Sequence, residues 1–360
     1  MVDWSCRQHT LRIPPAPVSL FWSYHSELAC PLMPHAAHII GTGLYAPEHV
    51  VSNQYFNDLY GEDVDSFLRE HRNIRERRYA TENQSTSDLA VQAAQQALDR
   101  AGCDASDIDL IVLSTDTPDF LSPATSAVVQ DKLGARQAAT FDVNTACAGF
   151  VTALDTARKF MESDAQYQRV LVIGAYLMSR FIDYDQKNTA SLFADGAGAA
   201  VLERREGAGG IRTARLDTKG EYHSYMGIYT GGSEQPITEP NGRVQKLEFR
   251  KKFPDGFNPD QWTALVRTLA NDLDVTPGDV DRYFFTQINI TSIQETLDRL
   301  DLPPEKAHNV MDRFGYTGNA CIAMALADAD SKNLLSKGDL VFLIASGGGA
   351  SIAGMALEWG

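Results

Sequence analysis

Short apolar runs recur along the chain, each bounded by turn residues: Leu110 to Leu113, Val170 to Ile173, Tyr283 to Phe285 and Leu340 to Ile344. Runs of this length, rich in Val, Ile and Phe, suit strands covered on both faces. Between them the pattern turns helical. TSDLAVQAAQQALDRAG spaces its apolar positions for a helix, with Ser87 as the predicted N-cap and Gly102 as the stop. Buried strands alternating with amphipathic helices predict an α/β fold with mostly parallel sheets.

The pattern occurs twice. ALDRAGCDASDIDLIVLST reads as helix, acidic turn and buried strand, and so does LANDLDVTPGDVDRYFFTQ. Asp107 and Asp109 fall on Asp279 and Asp281, an offset of 172 residues. Carried forward without a gap, that offset sets Thr145, Ala148, Ala153 and Leu154 on Thr317, Ala320, Ala325 and Leu326. It also sets Val170 to Ile173 on Phe342 to Ala345. Four consecutive elements in register indicate a duplication, which is the first thing to seek in a chain. The expected halves are residues 37–205 and 206–360, related by a pseudo-two-fold axis, with EGAGG at 206–210 as their junction. Residues 1–36 carry prolines and aromatics without period and lack the features of a secretory signal. They are expected to be a poorly ordered N-terminal extension, with Met33 an alternative start to Met1.

Composition narrows the function classes. The net charge of −15 disfavours nucleic acid and anionic membranes except through a local basic patch. Two basic islands exist, LREHRNIRERR and EFRKKF. They read either as solvated faces with nearby acids or as steering surfaces for a phosphate-bearing ligand or an acidic partner. No stretch approaches ~18 uninterrupted apolar residues, so no membrane helix is expected. The five cysteines (Cys6, Cys30, Cys103, Cys147 and Cys321) are odd in number and form no CxxC pair. That argues against a disulfide framework or a structural zinc site and suits a reducing cytoplasm. No metal or cofactor is implied.

Chemistry concentrates in ATFDVNTACAGFVTALDTARKFM. A strand ends near Val143, a turn of small residues follows, and a helix begins with Cys147 at its start. A helix N-terminus offers free N–H groups and partial positive charge, which favour thiolate over thiol. Ala146, Ala148 and Gly149 leave room for an acyl group. A lone cysteine is more often an inert packing residue, and Cys103 in RAGCDAS is read that way. A second feature is LIASGGGASIAGMAL, three glycines after a buried strand. Such a turn lets the backbone approach a ligand, and the Gly348 and Cys147 N–H groups are candidates for an oxyanion hole.

GTGLYAPEHVVSN, IRERR, DVNTACAGF, LFADGAGAAVL and the terminal GGGAS, in that order from about residue 37, resemble the β-ketoacyl-ACP synthase III family of thiolase-fold condensing enzymes. The resemblance implies a duplicated thiolase-like fold in five αβαβα layers, a homodimer and a ping-pong reaction. An acyl group from CoA is loaded on Cys147, and malonyl on acyl carrier protein is then decarboxylated and condensed with it.

Two positions depart from the family pattern. The HQAN motif reads TQIN, with Thr286 in the His position, and the GNTS motif places Tyr316 in the Asn position. In the family these two side chains donate N–H bonds to an enolate, and each missing donor typically costs about 10²–10³ in rate. Thr286 and Tyr316 both carry hydroxyl donors, and neither is a ready base near pH 7. Loading on Cys147 is therefore better supported than condensation. At the CoA subsite Phe67 and His71 stand where Trp and Arg are expected, with Arg75 nearby, and Thr291 replaces a further Arg. Asn319 falls opposite Cys147 in the repeat and reads either as a site residue or as a helix cap. His223 and His308 read as ordinary histidines. Two alternatives remain beside condensation: transfer of the acyl group to a non-carbon nucleophile, and a degenerate partner subunit of a condensing enzyme. LFADGAGAAVL is expected to be a turn between packed strands, since it lacks phosphate-loop spacing.

Overall fold

A computed structural model describes residues 35–237 and 245–360. Its first sheet contains β1 (His35–Tyr45), β2 (Leu110–Ser114), β3 (Ala139–Val143), β4 (Arg169–Leu177) and β5 (Asp195–Glu206), in the order β1-β5-β4-β2-β3. The second contains β6 (Ile211–Thr218), β7 (Arg282–Phe285), β8 (Leu340–Gly347) and β9 (Ser351–Glu358), in the order β7-β8-β9-β6. The two follow one plan. β4 is parallel to β2 and antiparallel to β5, as β8 is parallel to β7 and antiparallel to β9. The counterpart of β3 shrinks in the second sheet to a single parallel bridge between Tyr283 and Ala307.

Six helices complete the layers: α1 (Thr86–Ala101), α2 (Thr125–Leu133), α3 (Gly149–Ser163), α4 (Phe257–Asp272), α5 (Ile290–Arg299) and α6 (Cys321–Ser331). α3 and α6 lie between the sheets, α3 touching strands of both. α1 packs on the first sheet with α2 beside it, and α4 packs on the second with α5 beside it. The result is the five-layered αβαβα, thiolase-like arrangement. Small-residue faces permit it: Ala90, Ala93, Ala94 and Ala97 of α1, and Ala323, Ala325 and Ala327 of α6, are buried.

The repeat is visible in the hydrogen bonds. Asp104 with Asp107, and Thr276 with Asp279, form equivalent capping boxes. The Asp109 carboxylate accepts from the Gln168 and Arg169 amides at 2.7 and 2.8 Å, and Asp281 accepts from the Leu340 amide at 2.8 Å. Each acid ties the start of its edge-side strand to the next parallel strand.

Three expectations change. The sheets are mixed rather than mostly parallel, because each half returns its last strand beside the previous one without a helical crossover, which forces antiparallel pairing. The N-cap of α1 is Ser85, in a capping box with Asp88; Ser87 lies within the helix, its amide bound to the Asp119 carboxylate. LFADGAGAAVL runs into β5 rather than forming a turn. Gly196 and Gly198 let α6 approach, since a Cβ at Gly198 would lie 2.5 Å from the Ala323 Cβ. The expected extension, residues 1–36, and the choice between Met1 and Met33 lie outside the described residues, save that His35 and Ala36 already belong to β1. Among the described residues no helix is long and apolar enough to cross a membrane.

Candidate active site

β3 ends at Val143, and the chain turns through Thr145, Ala146 and Cys147 before α3 begins at Gly149. Ala146 adopts a left-handed conformation (φ 46°), uncommon for a residue with a side chain. The Ala148 amide bonds the Thr145 carbonyl at 3.2 Å and the Gly149 amide bonds the Ala146 carbonyl at 2.8 Å, closing a tight turn. Cys147 thus stands just before the Ala148 cap, not inside the helix. Gly149 is required here, because a Cβ would fall 1.8 Å from the Ser114 hydroxyl oxygen and 2.3 Å from the Asn319 amide oxygen.

Cys147 is buried between two cavities. The outer one, about 420 Å³, is lined by Cys147, Thr286, Tyr316 and Gly347 at one end and by Arg72 and Lys252 among others. The inner one, about 290 Å³, is lined by Cys147, Asp116, Tyr176, Phe193, Met226 and Gly348 among others. The glycine turn after β8 lies against the cysteine turn: a Cβ on Gly347 would sit 2.8 Å from the Cys147 amide nitrogen. Gly348 follows it into the inner cavity, and Gly349 takes φ 72°.

Burial pushes the Cys147 thiol well above its ordinary range. The Asp116 carboxylate pushes the same way, and a hydrogen bond with the Tyr316 hydroxyl opposes them. Desolvation of the charged sulfur thus opposes the thiolate character that the helix terminus alone favours. Tyr316 is itself buried, and its backbone pairs on both sides with the segment before β5, through the Leu192 carbonyl (3.0 Å) and the Ala194 amide (2.9 Å). Its ring tilts against Phe193, centroids 5.3 Å apart.

Thr286 lines the outer cavity at the end of β7, yet its hydroxyl is occupied. It accepts the Ser346 amide at 2.9 Å and donates to the Ser346 carbonyl at 3.3 Å. A hydroxyl has one proton. That proton is spent between strands.

Asn319 is buried beside the cysteine turn. Its amide oxygen accepts from the Ser114 hydroxyl at 2.5 Å and its amide nitrogen donates to the Asp116 carboxylate at 2.7 Å. Asp116, at the carboxyl end of β2, is held up to about 6 by burial, although the Asn319 bond stabilises its charge. The available sign that Asp116 belongs to the site was an acid directly after a buried strand, the end of an α/β strand where ligands bind.

The remaining candidates separate. Phe67 lies half-exposed at a third cavity that adjoins the outer one and shares Arg72, Phe249 and Asn258 with it. His71 tilts against Phe67, centroids 5.2 Å apart, but lines neither cavity at Cys147 nor the adjoining one, and Arg75 is likewise outside all three. Arg72, with its guanidinium 4.9 Å from the Phe67 ring centroid, is the arginine that faces the entrance. Arg77 leaves the basic island altogether. It is buried, stands over the Phe56 ring at 4.6 Å and donates to Val51 and Asn53. Thr291 lines the outer cavity. His223 reaches the rim of the inner cavity, while His308 is bound to Asp328 at 2.8 Å, away from both. Among the described residues no group of three or more His, Cys, Asp or Glu is placed to hold a metal.

Residues 141–220 match the family model for 3-oxoacyl-[acyl-carrier-protein (ACP)] synthase III, and residues 270–359 match its C-terminal counterpart. The chain is 38% identical over 327 residues to a β-ketoacyl-[acyl-carrier-protein] synthase III of Syntrophomonas wolfei, covering 89% of this chain and 97% of that protein. Among solved structures it is similar to 3-oxoacyl-[acyl-carrier-protein] synthase III from Aquifex aeolicus (TM-score 0.81, 30% identity, 90% of this chain and 100% of that one). It is also similar to the priming β-ketosynthase from the R1128 polyketide pathway (TM-score 0.82, 28% identity, 91% and 97%).

Proposed function

We propose, from the premise that the chain belongs to the 3-oxoacyl-[acyl-carrier-protein] synthase III family, that it is an acyltransferase which loads an acyl group from a CoA or carrier-protein thioester on Cys147. Its setting is fatty-acid or polyketide-type metabolism, as for its relatives. The observation that carries this reading is the position of Cys147 between an outer cavity with Arg72 and Lys252 and a separate inner cavity. The outer cavity suits the thioester's phosphate-bearing arm, and the inner one suits its acyl chain.

The Cys147 sulfur attacks the thioester carbonyl. The new carbon–sulfur bond replaces that of the donor, and the cysteine proton leaves with the donor thiol. The Tyr316 hydroxyl holds the sulfur's negative charge as the proton departs, and the Gly348 N–H holds the carbonyl oxygen.

A second reading concerns the acceptor. The Thr286 hydroxyl proton is committed to Ser346, and the Tyr316 hydroxyl is bonded to the sulfur. An enolate from malonyl thus lacks the two donors that decarboxylative condensation uses. This favours transfer from Cys147 to a nucleophile other than an enolate. With its amide bonded to Ser114 and Asp116, Asn319 reads as a positioning residue rather than a donor to substrate.

We read the assembly as a homodimer in the cytoplasm. β3 is the free edge of the first sheet, and the neighbouring loop exposes Phe120 (55%) and Leu121 (80%), an apolar pair of the kind an interface covers. Light scattering is expected to give about twice the chain mass of 39.5 kDa; a monomer at micromolar concentration would contradict it. The test of the function is intact-protein mass spectrometry after incubation with acyl-CoA and acyl-carrier thioesters. A stable acyl adduct is expected, and a full panel without any adduct would overturn the reading.

A further inference from the structure

The inner cavity is not the lining a plain alkyl chain calls for. Tyr176, Phe193 and Met226 supply apolar walls, but Asp116 brings a carboxyl group into the same space as the Cys147 sulfur. Asn319 is its one side-chain hydrogen-bond partner among the described residues, on Oδ1, and no Lys, Arg or His stands within ion-pair distance. The Asp116 backbone amide is the further protein donor to the carboxylate, and no other side chain donates to it among the described residues. Covering it with methylene groups would strip a carboxylate of water without replacement, which is strongly unfavourable. A chain that carries a hydrogen-bond donor removes that penalty.

We infer that Asp116 sets the acyl specificity of the inner cavity, selecting a chain that bears an ammonium or hydroxyl group over an alkyl chain of equal length. The inference rests on the acyltransferase reading for its chemistry and on the cavity for its geometry. Burial holds the Asp116 carboxyl at about 6, so it is mostly ionised at neutral pH and attracts an ammonium group most. Sites that hydrogen-bond a substrate group reject analogues lacking it, because their own polar atoms are left unpaired.

The experiment uses three isosteric thioesters: β-alanyl-CoA, 3-hydroxypropionyl-CoA and butyryl-CoA. Adduct formation on the wild-type chain is followed by intact mass. Binding of the same three to the Cys147→Ala chain is followed by calorimetry, which reads chain preference without transfer. The expected preference for β-alanyl over butyryl is about 10- to 100-fold in both readouts. Asp116→Asn retains an oxygen for Asn319 and removes the charge; it should lower the ammonium preference about tenfold while sparing the hydroxyl chain. Asp116→Val should favour butyryl. Butyryl loading and binding as well as the polar chains, with ratios unmoved by Asp116→Asn, would overturn the inference and leave the acyltransferase reading intact. Selective binding without any adduct on the wild type would overturn the transfer reading and keep the cavity preference. Failure of all three to bind or load would overturn both.

Discussion

The turn around Cys147 and the turn around Asn319 are copies of one design with opposite uses. At the shared offset of 172 residues, Ala146 has φ 46° and Gly318 has φ 44°. The Ala148 amide bonds Thr145 as the Ala320 amide bonds Thr317, at 3.2 and 2.8 Å, and both alanines cap an inner helix. The residues at the two apices differ. Cys147 faces two cavities and has Tyr316 as its hydrogen-bond partner. Asn319 faces protein and spends its amide on Ser114 and Asp116 of the other half. The following position differs to match: Gly149 yields space to Asn319, whereas Cys321 is a buried side chain. One copy of the turn opens its apex to the cavities, and the other fixes the frame around it.

The largest expected effect breaks the comparison at its chemical end. Cys147→Ala should abolish the acyl adduct, and Cys321→Ala should leave it, as read by intact mass. Cys321 lies close enough to Cys147 for the two charges to oppose each other, but burial pushes its thiol up to about 12 and it lines neither cavity. An adduct that survives Cys147→Ala would overturn the assignment of Cys147 as nucleophile.

Next in size is the pair Thr286 and Tyr316, which line the outer cavity beside Cys147. Wild type should release carbon dioxide from malonyl thioesters slowly. Thr286→His with Tyr316→Asn should raise that rate by about 10² or more, beyond the product of the single changes, since both donors act on one oxygen. The geometry makes the Thr286 half the more telling, because its hydroxyl proton is already bound to Ser346. Brisk release by wild type, lost in the double variant, would show a working hydroxyl site instead.

The framing copy is tested through stability. Asn319→Ala strands the Ser114 hydroxyl and the Asp116 carboxyl, and should lower stability by about 2–3 kcal/mol in denaturant titration. Loading measured below the new transition should fall less than it does for Cys147→Ala. Unchanged stability with complete loss of loading would make Asn319 part of the chemistry.

Much of this frame was legible in the chain. The offset of 172 predicted the duplicated strands and the two acids that tie them, because a repeat preserves caps and apolar runs residue by residue. Cys147 and the glycine turn were legible because small residues after a buried strand have few other uses. What the pattern hid were long-range partners. Nothing near Thr286 announces that Ser346 takes its proton, and Asp116 becomes a site residue only when Asn319 arrives from 203 residues away. Arg77 sits in a run of arginines that reads as a surface, yet alternation along Glu76–Tyr79 turns it inward. The family pattern points to His71, whereas the local helix geometry sends Arg72 to the outer cavity.

The smallest expected effect distinguishes the two inner helices by pH. Each carries one buried acid at nearly equivalent places, Asp155 on α3 and Asp328 on α6. Asp155 is held by Arg158 and Lys159 of its own helix, at 2.8 and 2.6 Å. Asp328 gathers partners from farther off: His308 at 2.8 Å, Arg313 at 3.0 Å and Lys332 at 2.9 Å. Those bonds outweigh its desolvation and hold its carboxyl well below the usual carboxylate range. A carboxyl whose value is lower in the folded chain than in the unfolded one stabilises the fold above the unfolded value, about 3.9, and loses that contribution as pH falls towards the folded value. Asp328→Asn should therefore cost about 1–2 kcal/mol at pH 7, a modest figure because Arg313 and Lys332 are partly solvated. The gap between wild type and variant should narrow steadily as pH falls below about 4. Urea titrations of both proteins across that range measure it. A gap that widened as pH fell below about 4 would mean that the folded carboxyl is raised instead, and that the bonds to His308, Arg313 and Lys332 do not hold its charge.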